Sequence, residues 1–487
     1  MDLKFKLIRS RLLLPLDNNQ AKKTVLEDGY ILTKGSLIKE VGKYSDEIGQ
    51  RIIRNYQGEL QIIGSPGVGN SQEITIPCLD GVILPGFVKA HGHDQESSII
   101  GFGKDESLID WLNDIVFVFA DFLRHDEEEL RKKLGKSPYL ITYLKSRLDD
   151  IYYGITSSLN HHCNFHKYHL SELIEANSKA GTKMVIAVGS EDRNLNPSVL
   201  DSPQEAINRL NNYLAEFGGT DRIRIIPGPN QVFSNSLKML KALAKWSREH
   251  NTLIHIHSSE EPKMTNWFYR QYHCSPVEYL YRADFLGENA ILAHQVNTTE
   301  IDLAILKDTG TNIVHNPLAN TILGSGMPPI IRMLEMGIPV AISTDGSGSS
   351  DNQNILNAAR LASQYQKADH KDARLLPAEK VLEMITVVPA GMLRLNAGSL
   401  EVDKDADFIL IDLSRPNLTP TLADNVVENI IWASDGSEVR WVVSGGRILK
   451  DDYRFVTLDE ERVKKDLLQL CKLLIDYKNN NSTRMAI

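Results

Sequence analysis

The chain has 487 residues, 42% of them hydrophobic and 24% charged, which is ordinary for a globular protein and long enough for a large domain and a smaller one. Its formal net charge of −9, without a basic tract, argues against nucleic acid as a partner. The four cysteines have no paired spacing and the N-terminal apolar run is short, so we expect a cytoplasmic protein with reduced thiols, no signal peptide and no membrane partner.

The first 86 residues are predicted to form short strands separated by turns, as in GYILTKGSLIKEVG. From 87 to 395, apolar β runs alternate with amphipathic stretches such as SLKMLKALAKWSREHN. The β runs are VILPGFVKAHGH, GITSSLNHH, KMVIAVGSE, RIRIIPGPN, TLIHIHSSE, AILAHQV, TNIVHNP and PVAISTDG. Strands that alternate with helices predict an α/β fold with a parallel sheet, and eight such strands predict a closed (β/α)8 TIM barrel.

Short strands return in 396–457, in GSLEVDKDADFILIDL and VRWVVSGGRILKDD. The simplest interpretation is that 1–86 and 396–457 together form a small β-sandwich domain, with the barrel over 87–395. Residues 458–487 are predicted to be a C-terminal helix, because apolar residues in DEERVKKDLLQLCKLLIDYK recur with helical spacing, followed by the tail NNNSTRMAI without regular structure.

Polar side chains stand at the end of every β run, where the functional groups of such barrels lie. They are His91 with His93, His161 with His162, Glu191, Asn230, His257 with Glu260, His294, His315 with Asn316, and Asp345. The pattern predicts one functional site at the carboxyl ends of the strands.

Half of a metal site is suggested by His91 and His93, which point to the same face if they continue a strand. Alone they could be a hydrogen-bonded structural pair. With His257 and Asp345 they make three imidazoles and a carboxylate, a set that suits one divalent metal, zinc ahead of iron. His255 is the alternative to His257, which we prefer because it lies nearer the strand exit and precedes a glutamate by three residues.

Several motifs resemble signatures of the amidohydrolase superfamily, namely LPGFVKAHGH, HIHSSE, LAHQV, VHNPLANTILGSGMPP and STDGSGSSDNQNIL. The chain is similar over nearly its whole length to the branch with S-adenosylhomocysteine/methylthioadenosine deaminases, guanine deaminases and s-triazine hydrolases. The resemblance implies a metal-dependent hydrolase domain whose metal ligands are His91, His93, His257 and Asp345, with Glu260 as the catalytic glutamate and His294 as the histidine of the sixth strand.

The chemistry of these groups favours hydrolytic deamination of an aminated nitrogen heterocycle of the purine, pterin, pyrimidine or triazine type. A divalent metal makes hydroxide available near neutral pH. Asp345 can take the proton of the water, Glu260 can protonate a ring nitrogen, and His294 can orient the hydroxide or the developing oxyanion. Release of chloride or an alkylamine from a triazine, or opening of a cyclic amide, would use the same residues and stays an alternative, as does a non-catalytic scaffold.

The candidate substrate-binding residues are Lys104, Asp110, Trp111, Asn230, Asn320 and Ser349. Trp111 can equally be a packing residue. Nucleoside deaminases of the branch tend to have histidine where this chain has Asn230, and serine where it has Ala319. We therefore expect a free or lightly substituted heterocycle ahead of an adenosine-type nucleoside. We also expect a homo-oligomer, and the roles of His161, His162 and His255 stay open.

Overall fold

The computed structural model describes residues 4–17, 24–65, 75–103, 105–194 and 197–485, with side chains described to residue 480. The chain forms two compact units. Unit 1 comprises Met1–Val88, Asp150–Ser157 and Asn354–Thr457, and unit 2 comprises Lys89–Asp149, Ser158–Gln353 and Leu458–Ile487. Segments 150–157 and 354–395, which lie inside the predicted barrel domain, thus group with unit 1. Within the described ranges, no helix has the length and apolar character needed to cross a membrane.

The strands, in chain order, are β1 (Phe5–Leu13), β2 (Leu26–Lys34), β3 (Leu37–Lys43), β4 (Leu60–Ile62), β5 (Leu79–Pro85), β6 (Phe87–Lys89), β7 (Ile155–His162), β8 (Lys183–Ser190), β9 (Ile223–Pro229), β10 (Ile254–Ser258), β11 (Ala290–His294), β12 (Asn312–His315), β13 (Val340–Ile342), β14 (Phe408–Asp412), β15 (Val439–Ser444), β16 (Arg447–Asp451) and β17 (Arg454–Phe455).

The α-helices are α1 (Asp46–Tyr56), α2 (Leu108–Trp111), α3 (Phe117–His125), α4 (Glu127–Leu134), α5 (Pro138–Tyr152), α6 (Leu170–Ala180), α7 (Pro203–Phe217), α8 (Leu237–Glu249), α9 (Pro262–Tyr272), α10 (Pro276–Arg282), α11 (Glu300–Thr309), α12 (Pro317–Ile322), α13 (Ile330–Glu335), α14 (Ser347–Ser350), α15 (Ile355–His370), α16 (Ala378–Glu383), α17 (Val387–Met392), α18 (Val426–Trp432) and α19 (Glu460–Met485).

Both ends of the chain contribute to one nine-stranded sheet. Its order is β17-β16-β15-β14-β5-β1-β2-β3, and β4 also pairs with β1. The N-terminal and C-terminal strands meet where β14 pairs antiparallel with β5, with Leu410 opposite Ile83. Both side chains are buried in an apolar cluster that includes Phe408 and Trp441. Burial of this shared apolar face explains why segments distant in the sequence form one sheet.

The eight strands β6 to β13 form two further sheets of four strands each, in the orders β6-β7-β8-β9 and β10-β11-β12-β13. Neighbouring strands of the second sheet are parallel, and so are β8 and β9. Each of the eight predicted β runs contains one of these strands. Every residue of β7, β8, β10, β11, β12 and β13 is buried, as is typical of parallel strands covered on both faces.

The first predicted run is divided in the structure, which corrects the interpretation of VILPGFVKAHGH as one strand. Its first part belongs to β5 and the nine-stranded sheet, and its second part is β6. The break lies at Pro85, which has no backbone N–H, and at Gly86, where an added Cβ would lie 2.3 Å from the side chain of Thr156. His91 and His93 follow β6 rather than forming part of it.

The C-terminal helix α19 begins at Glu460, close to the predicted start after Leu458. It continues to Met485, through most of the segment that the sequence assigned to an unstructured tail. An established helix extends by one hydrogen bond per added residue, which offsets the weak helix propensity of the asparagines. The last two residues, 486 and 487, lie outside the described part of the chain.

Candidate active site

Four side chains from three separate segments meet beyond the ends of β6, β10 and β13. The Nε2 atoms of His93 and His257 are 3.0 Å apart. Oδ1 of Asp345 lies 3.1 Å from Nε2 of His91 and 3.4 Å from Nε2 of His93. Two ligands of a tetrahedral zinc ion at about 2.0–2.1 Å from the metal are about 3.3 Å apart. The spacing of these donor atoms therefore fits a single ion.

Hydrogen bonds to the backbone orient two of the three imidazoles. Nδ1 of His93 lies 3.1 Å from the carbonyl oxygen of His161, and Nδ1 of His257 lies 2.6 Å from that of Asn230. Because a carbonyl only accepts, each Nδ1 carries the proton and each Nε2 has a free lone pair. Among the described residues, neither ring nitrogen of His91 makes a hydrogen bond, although the side chain is fully buried. A metal ion would satisfy one of these two nitrogens.

The imidazoles are held in the neutral form that binds metals. Burial lowers the pKa of His91 and of His93 well below the ordinary value, and neighbouring imidazoles add to the effect. Burial also lowers the pKa of His257, although the negative charges of Glu260 and Asp345 oppose the shift. Binding of a metal here would displace few protons.

Proton-handling groups surround the same point. His294 donates from Nδ1 to Oδ1 of Asn320 at 2.8 Å, which directs Nε2 towards two carboxylates. That Nε2 lies 3.6 Å from Oε1 of Glu260 and 3.6 Å from Oδ2 of Asp345. The amide of Gln231 donates to the other oxygen of Glu260 at 2.9 Å. A reacting molecule between these groups would contact all of them.

The backbone bends sharply where these groups leave the strands. Ser259, His294 and Asp345 have φ values of 52°, 77° and 68°, in the left-handed region that most residues avoid. Gly346 follows Asp345, and a Cβ there would lie 2.0 Å from Oε2 of Glu96. The backbone N–H of Gly346 in turn donates to Oδ1 of Asp345 at 2.8 Å. The glycine after Asp345 therefore allows the backbone to pass close to Glu96 inside the site, and the Asp-Gly pair is not an ordinary surface turn.

A cavity lined by both apolar and polar side chains opens onto the cluster. Its apolar wall is formed by Leu108, Trp111, Leu112, Val116, Phe117, Phe165, Phe233 and Leu323. Its polar lining is formed by His93, Glu96, Cys163, Glu191, Asn230, Gln231, His257, Glu260, His294, Asp345 and Ser349. A flat, largely apolar molecule with a few polar edges fits such a lining.

Three of the substrate-binding candidates, Trp111, Asn230 and Ser349, line this cavity. The indole N–H of Trp111 is buried and has no hydrogen-bond partner in the part of the chain that the structure describes. Asn230 bonds through its side chain to His161 and Glu191.

Two of the other candidates lie outside this lining, and the third is not among the described residues. Asn320 is buried behind His294 and is not part of the lining. Asp110 is exposed, accepts a hydrogen bond from Ser107 at 2.6 Å, and also lies outside the lining. Lys104 lies outside the described residues. The loop after the first run thus contributes to the cavity mainly through its apolar side chains.

Sequence reasoning gave no role to two buried acids in the lining. Glu96 accepts the backbone N–H of Ser349 at 3.1 Å, and burial together with the charge of Asp345 raises its pKa well above the usual range. Burial raises the pKa of Glu191 to about 7, against the opposing effect of Asn230. Glu191 stood out in the sequence only as one more polar residue at a strand end, and the sequence analysis did not single out Glu96.

The remaining histidines behave differently from the cluster. His255, the alternative to His257, places Nδ1 3.1 Å from Nδ1 of His161. His162 instead bonds to the backbone oxygen of His166 at 2.8 Å and does not line the cavity. The geometry therefore favours His257 over His255 as a donor to the point where the other ligands converge.

The model of the amidohydrolase family matches residues 82–449 of the chain. The chain is 31% identical over 447 residues to the 5-methylthioadenosine/S-adenosylhomocysteine deaminase of Caldicellulosiruptor saccharolyticus, covering 91% of this chain and 94% of that protein. It is 29% identical over 432 residues to the 5'-deoxyadenosine deaminase of Methanosphaera stadtmanae, covering 88% of this chain and 96% of that protein.

Among solved structures, the atrazine chlorohydrolase TrzN from Arthrobacter aurescens TC1, complexed with zinc, superposes with a TM-score of 0.82. The match covers 96% of this chain and 100% of that chain at 22% identity, and at this identity it shows a shared fold only. The chain belongs to the amidohydrolase family.

Proposed function

We propose that the protein is a metal-dependent aminohydrolase that replaces the amine of a purine-type heterocycle with a carbonyl and releases ammonia. The observation that carries the proposal is that the donor atoms of His91, His93 and His257 form one compact group and those of His91, His294 and Asp345 form a second, with His91 in both. Both curated relatives described above are named as deaminases of adenosine derivatives.

The ligands of the proposed metal are His91, His93, His257 and Asp345, and the proposed ion is zinc, with iron second. Three neutral imidazoles and a carboxylate suit either ion. The zinc in the related chlorohydrolase structure supports the first choice. When bound, the ion acts as a Lewis acid that makes hydroxide available near neutral pH.

The proposed roles of the protein side chains follow from their positions. Asp345 accepts the proton that the attacking water loses, and Glu260 donates a proton to the ring nitrogen next to the attacked carbon. Nε2 of His294, whose Nδ1 carries the proton, accepts a hydrogen bond from the O–H of the attacking water and so orients it. The new C–O bond then displaces the amine, which takes up a proton and leaves as ammonia.

An adenosine-type nucleoside is the leading substrate in this proposal, ahead of the free heterocycle that the sequence favoured. The departures at Asn230 and Ala319 argued against a nucleoside, but the two deaminases of adenosine derivatives align over about nine-tenths of the chain.

The experiment is an ammonia assay of the zinc-loaded protein on 5'-deoxyadenosine, methylthioadenosine, S-adenosylhomocysteine, guanine, pterins, cytosine and amino-triazines. The expected result is ammonia with one carbonyl-bearing product from an adenosine derivative. Chloride or an alkylamine as the only released product would favour the triazine-type alternative. No product from any compound, with less than half an equivalent of bound metal, would favour a non-catalytic scaffold.

We further propose that β6 to β13 close into one (β/α)8 barrel. His257 donates its backbone N–H to the carbonyl of Asn230 at 3.2 Å, which links β10 to the end of β9. At the other seam, the hydroxyl of Ser343 donates to the backbone oxygen of His91 at 2.6 Å. Four other expectations stay predictions. They are the β-sandwich arrangement, the homo-oligomer, the cytoplasmic location, and the domain boundaries 1–86, 87–395, 396–457 and 458–487. Light scattering of the purified protein tests the oligomer.

A further inference from the structure

One carboxyl group of the cavity has no part in the proposed chemistry. Glu191 follows β8, is fully buried and lines the cavity. Its Oε1 accepts a hydrogen bond from the amide of Asn230 at 3.0 Å. No hydrogen bond to Oε2 within 3.5 Å is found among the described residues, although the side chain of Ser234 lies near enough to lower the pKa of the carboxyl group. An unsatisfied buried polar atom is costly, so its presence in a ligand cavity points to a donor supplied by the ligand.

A chain of hydrogen bonds holds Glu191 in one orientation. Nε2 of His161 lies 2.7 Å from Oδ1 of Asn230, so this nitrogen carries the proton and the amide nitrogen of Asn230 must face Glu191. With Nε2 protonated, Nδ1 of the neutral His161 accepts from Nδ1 of His255 at 3.1 Å. Asn230 cannot rotate its amide without losing both bonds, so the carboxyl group is positioned before a ligand arrives.

The charges of the cavity lining limit which kinds of ligand could donate a hydrogen bond to Glu191. The described lining residues include four acids, Glu96, Glu191, Glu260 and Asp345, and no lysine or arginine. A phosphate group would find no cation to pair with and would meet carboxyl groups instead. The partner of Glu191 is therefore an N–H or O–H group of an uncharged or cationic molecule.

The position of Glu191 in the fold differs from that of Glu260 and His294. Glu260 and His294 stand at the ends of β10 and β11, in one four-stranded sheet, whereas Glu191 stands at the end of β8 in the other. Glu191 thus stands at a different strand end from Glu260 and His294, and all three line the same cavity.

We propose that Glu191, positioned by Asn230, is a specificity-determining residue that accepts a hydrogen bond from an N–H or O–H donor remote from the leaving amine, and that the site selects such substrates over phosphorylated ones. The inference rests on the proposed deaminase function. The donor is a sugar hydroxyl in a nucleoside or a ring N–H in a free base.

The test compares Glu191→Gln with the wild type on matched substrates, using ammonia release to obtain kcat and KM. One pair is adenosine and 2',3'-dideoxyadenosine, which differ in the sugar hydroxyls. The other is adenine and 9-methyladenine, which differ in one ring N–H. AMP and adenosine form the third pair. Glu216→Gln, an exposed substitution on α7, is the control, and metal content is measured for every variant.

A glutamine at 191 keeps the bond from Asn230 but presents an amide N–H to the cavity, so it cannot accept from the substrate. We expect kcat/KM to fall about 10- to 100-fold on the donor-bearing member of one pair, the size of a hydrogen bond to a charged group. The member without the donor should change less than about threefold, and metal content should not change. The pair that responds identifies the donor as hydroxyl or ring N–H.

An equal fall on both members of each pair would show a merely structural role, and an unchanged kcat/KM would show no role; either result overturns the inference. AMP turned over as fast as adenosine would overturn the charge argument. Absence of ammonia from every purine with the zinc-loaded wild type would instead refute the proposed function. In that case, calorimetric binding of the same pairs to wild type and Glu191→Gln still decides the role of Glu191.

Discussion

A buried ion pair supports the segment that carries His91 and His93. Nη2 of Arg147 lies 2.7 Å from Oδ1 and 2.6 Å from Oδ2 of Asp94, and both side chains are fully buried. Ser146 donates to the same carboxylate at 2.8 Å. Because Asp94 directly follows His93, this pair holds the segment after β6 in place.

Substitution of Arg147 by methionine keeps most of the apolar volume but removes the partner of Asp94. The next cation is the Nζ atom of Lys89, 4.0 Å from Oδ1. Removing one partner of a buried ion pair lowers the free energy of unfolding by about 3–5 kcal/mol. Because the Lys89 ammonium partly compensates the Asp94 charge, we expect a loss of about 3 kcal/mol. For a unit of this size, that loss lowers the midpoint of thermal unfolding by roughly 6–12 °C.

Calorimetry or near-UV circular dichroism of the metal-loaded protein measures this shift. The control is Arg124→Met, which removes an i,i+3 pair with Asp121 at a partly exposed site and should cost less than about 1 kcal/mol. Asp94→Asn combined with Arg147→Met should recover part of the loss, since no uncompensated charge stays buried. A shift for Arg147→Met no larger than that for Arg124→Met would refute the reasoning.

Three further predictions concern the site. His257→Ala should abolish or severely weaken metal binding, whereas His255→Asn, which preserves a donor in the place of Nδ1, should leave metal content nearly intact, as measured by elemental analysis after dialysis. Glu260→Gln should keep the metal but lower kcat by about 10²- to 10⁴-fold, because proton delivery alone is removed. Gly346→Ala should destabilise the protein by about 1–3 kcal/mol and reduce metal content, because the added Cβ would lie 2.0 Å from the Glu96 carboxylate.

Matched measurements decide each of these. Loss of metal from His255→Asn but not from His257→Ala would show that the choice of ligand is wrong. Rapid turnover by fully metallated Glu260→Gln would remove that residue from the proton path. Gly219→Ala, where no atom lies within 4 Å of the added Cβ, controls for the glycine substitution, and an equal effect of both changes would contradict the steric argument.

The alternation of strands and helices could be predicted from the sequence because it depends on local periodicity. Each predicted β run contains a strand of the structure, and polar residues do stand at the ends of those strands. The spacing of His91 and His93, and the family motifs around them, also lie within single short segments. Strand and helix periodicity and short motifs depend only on residues that are close in the sequence.

The boundaries that failed depend on contacts made elsewhere in the chain. Pro85 and Gly86 divide the first run because β5 has a partner in β14, more than three hundred residues later. Asp110 stays a prediction as a substrate contact, and in the structure its side chain is exposed and accepts a hydrogen bond from Ser107. Local pattern alone does not tell which face of a short helix turns towards a cavity.

The sequence by itself determined which residue types are available for chemistry and at which strand ends they stand, since side-chain direction follows from the local backbone. Only the tertiary structure decided which of them meet. It placed Nε2 of His257, and not His255, 3.0 Å from Nε2 of His93, and it left Oε2 of Glu191 without a hydrogen bond within 3.5 Å among the described residues. The physical reason is that donor atoms from segments more than 150 residues apart are brought within hydrogen-bond distance by strand order and packing, which no single stretch of the chain encodes.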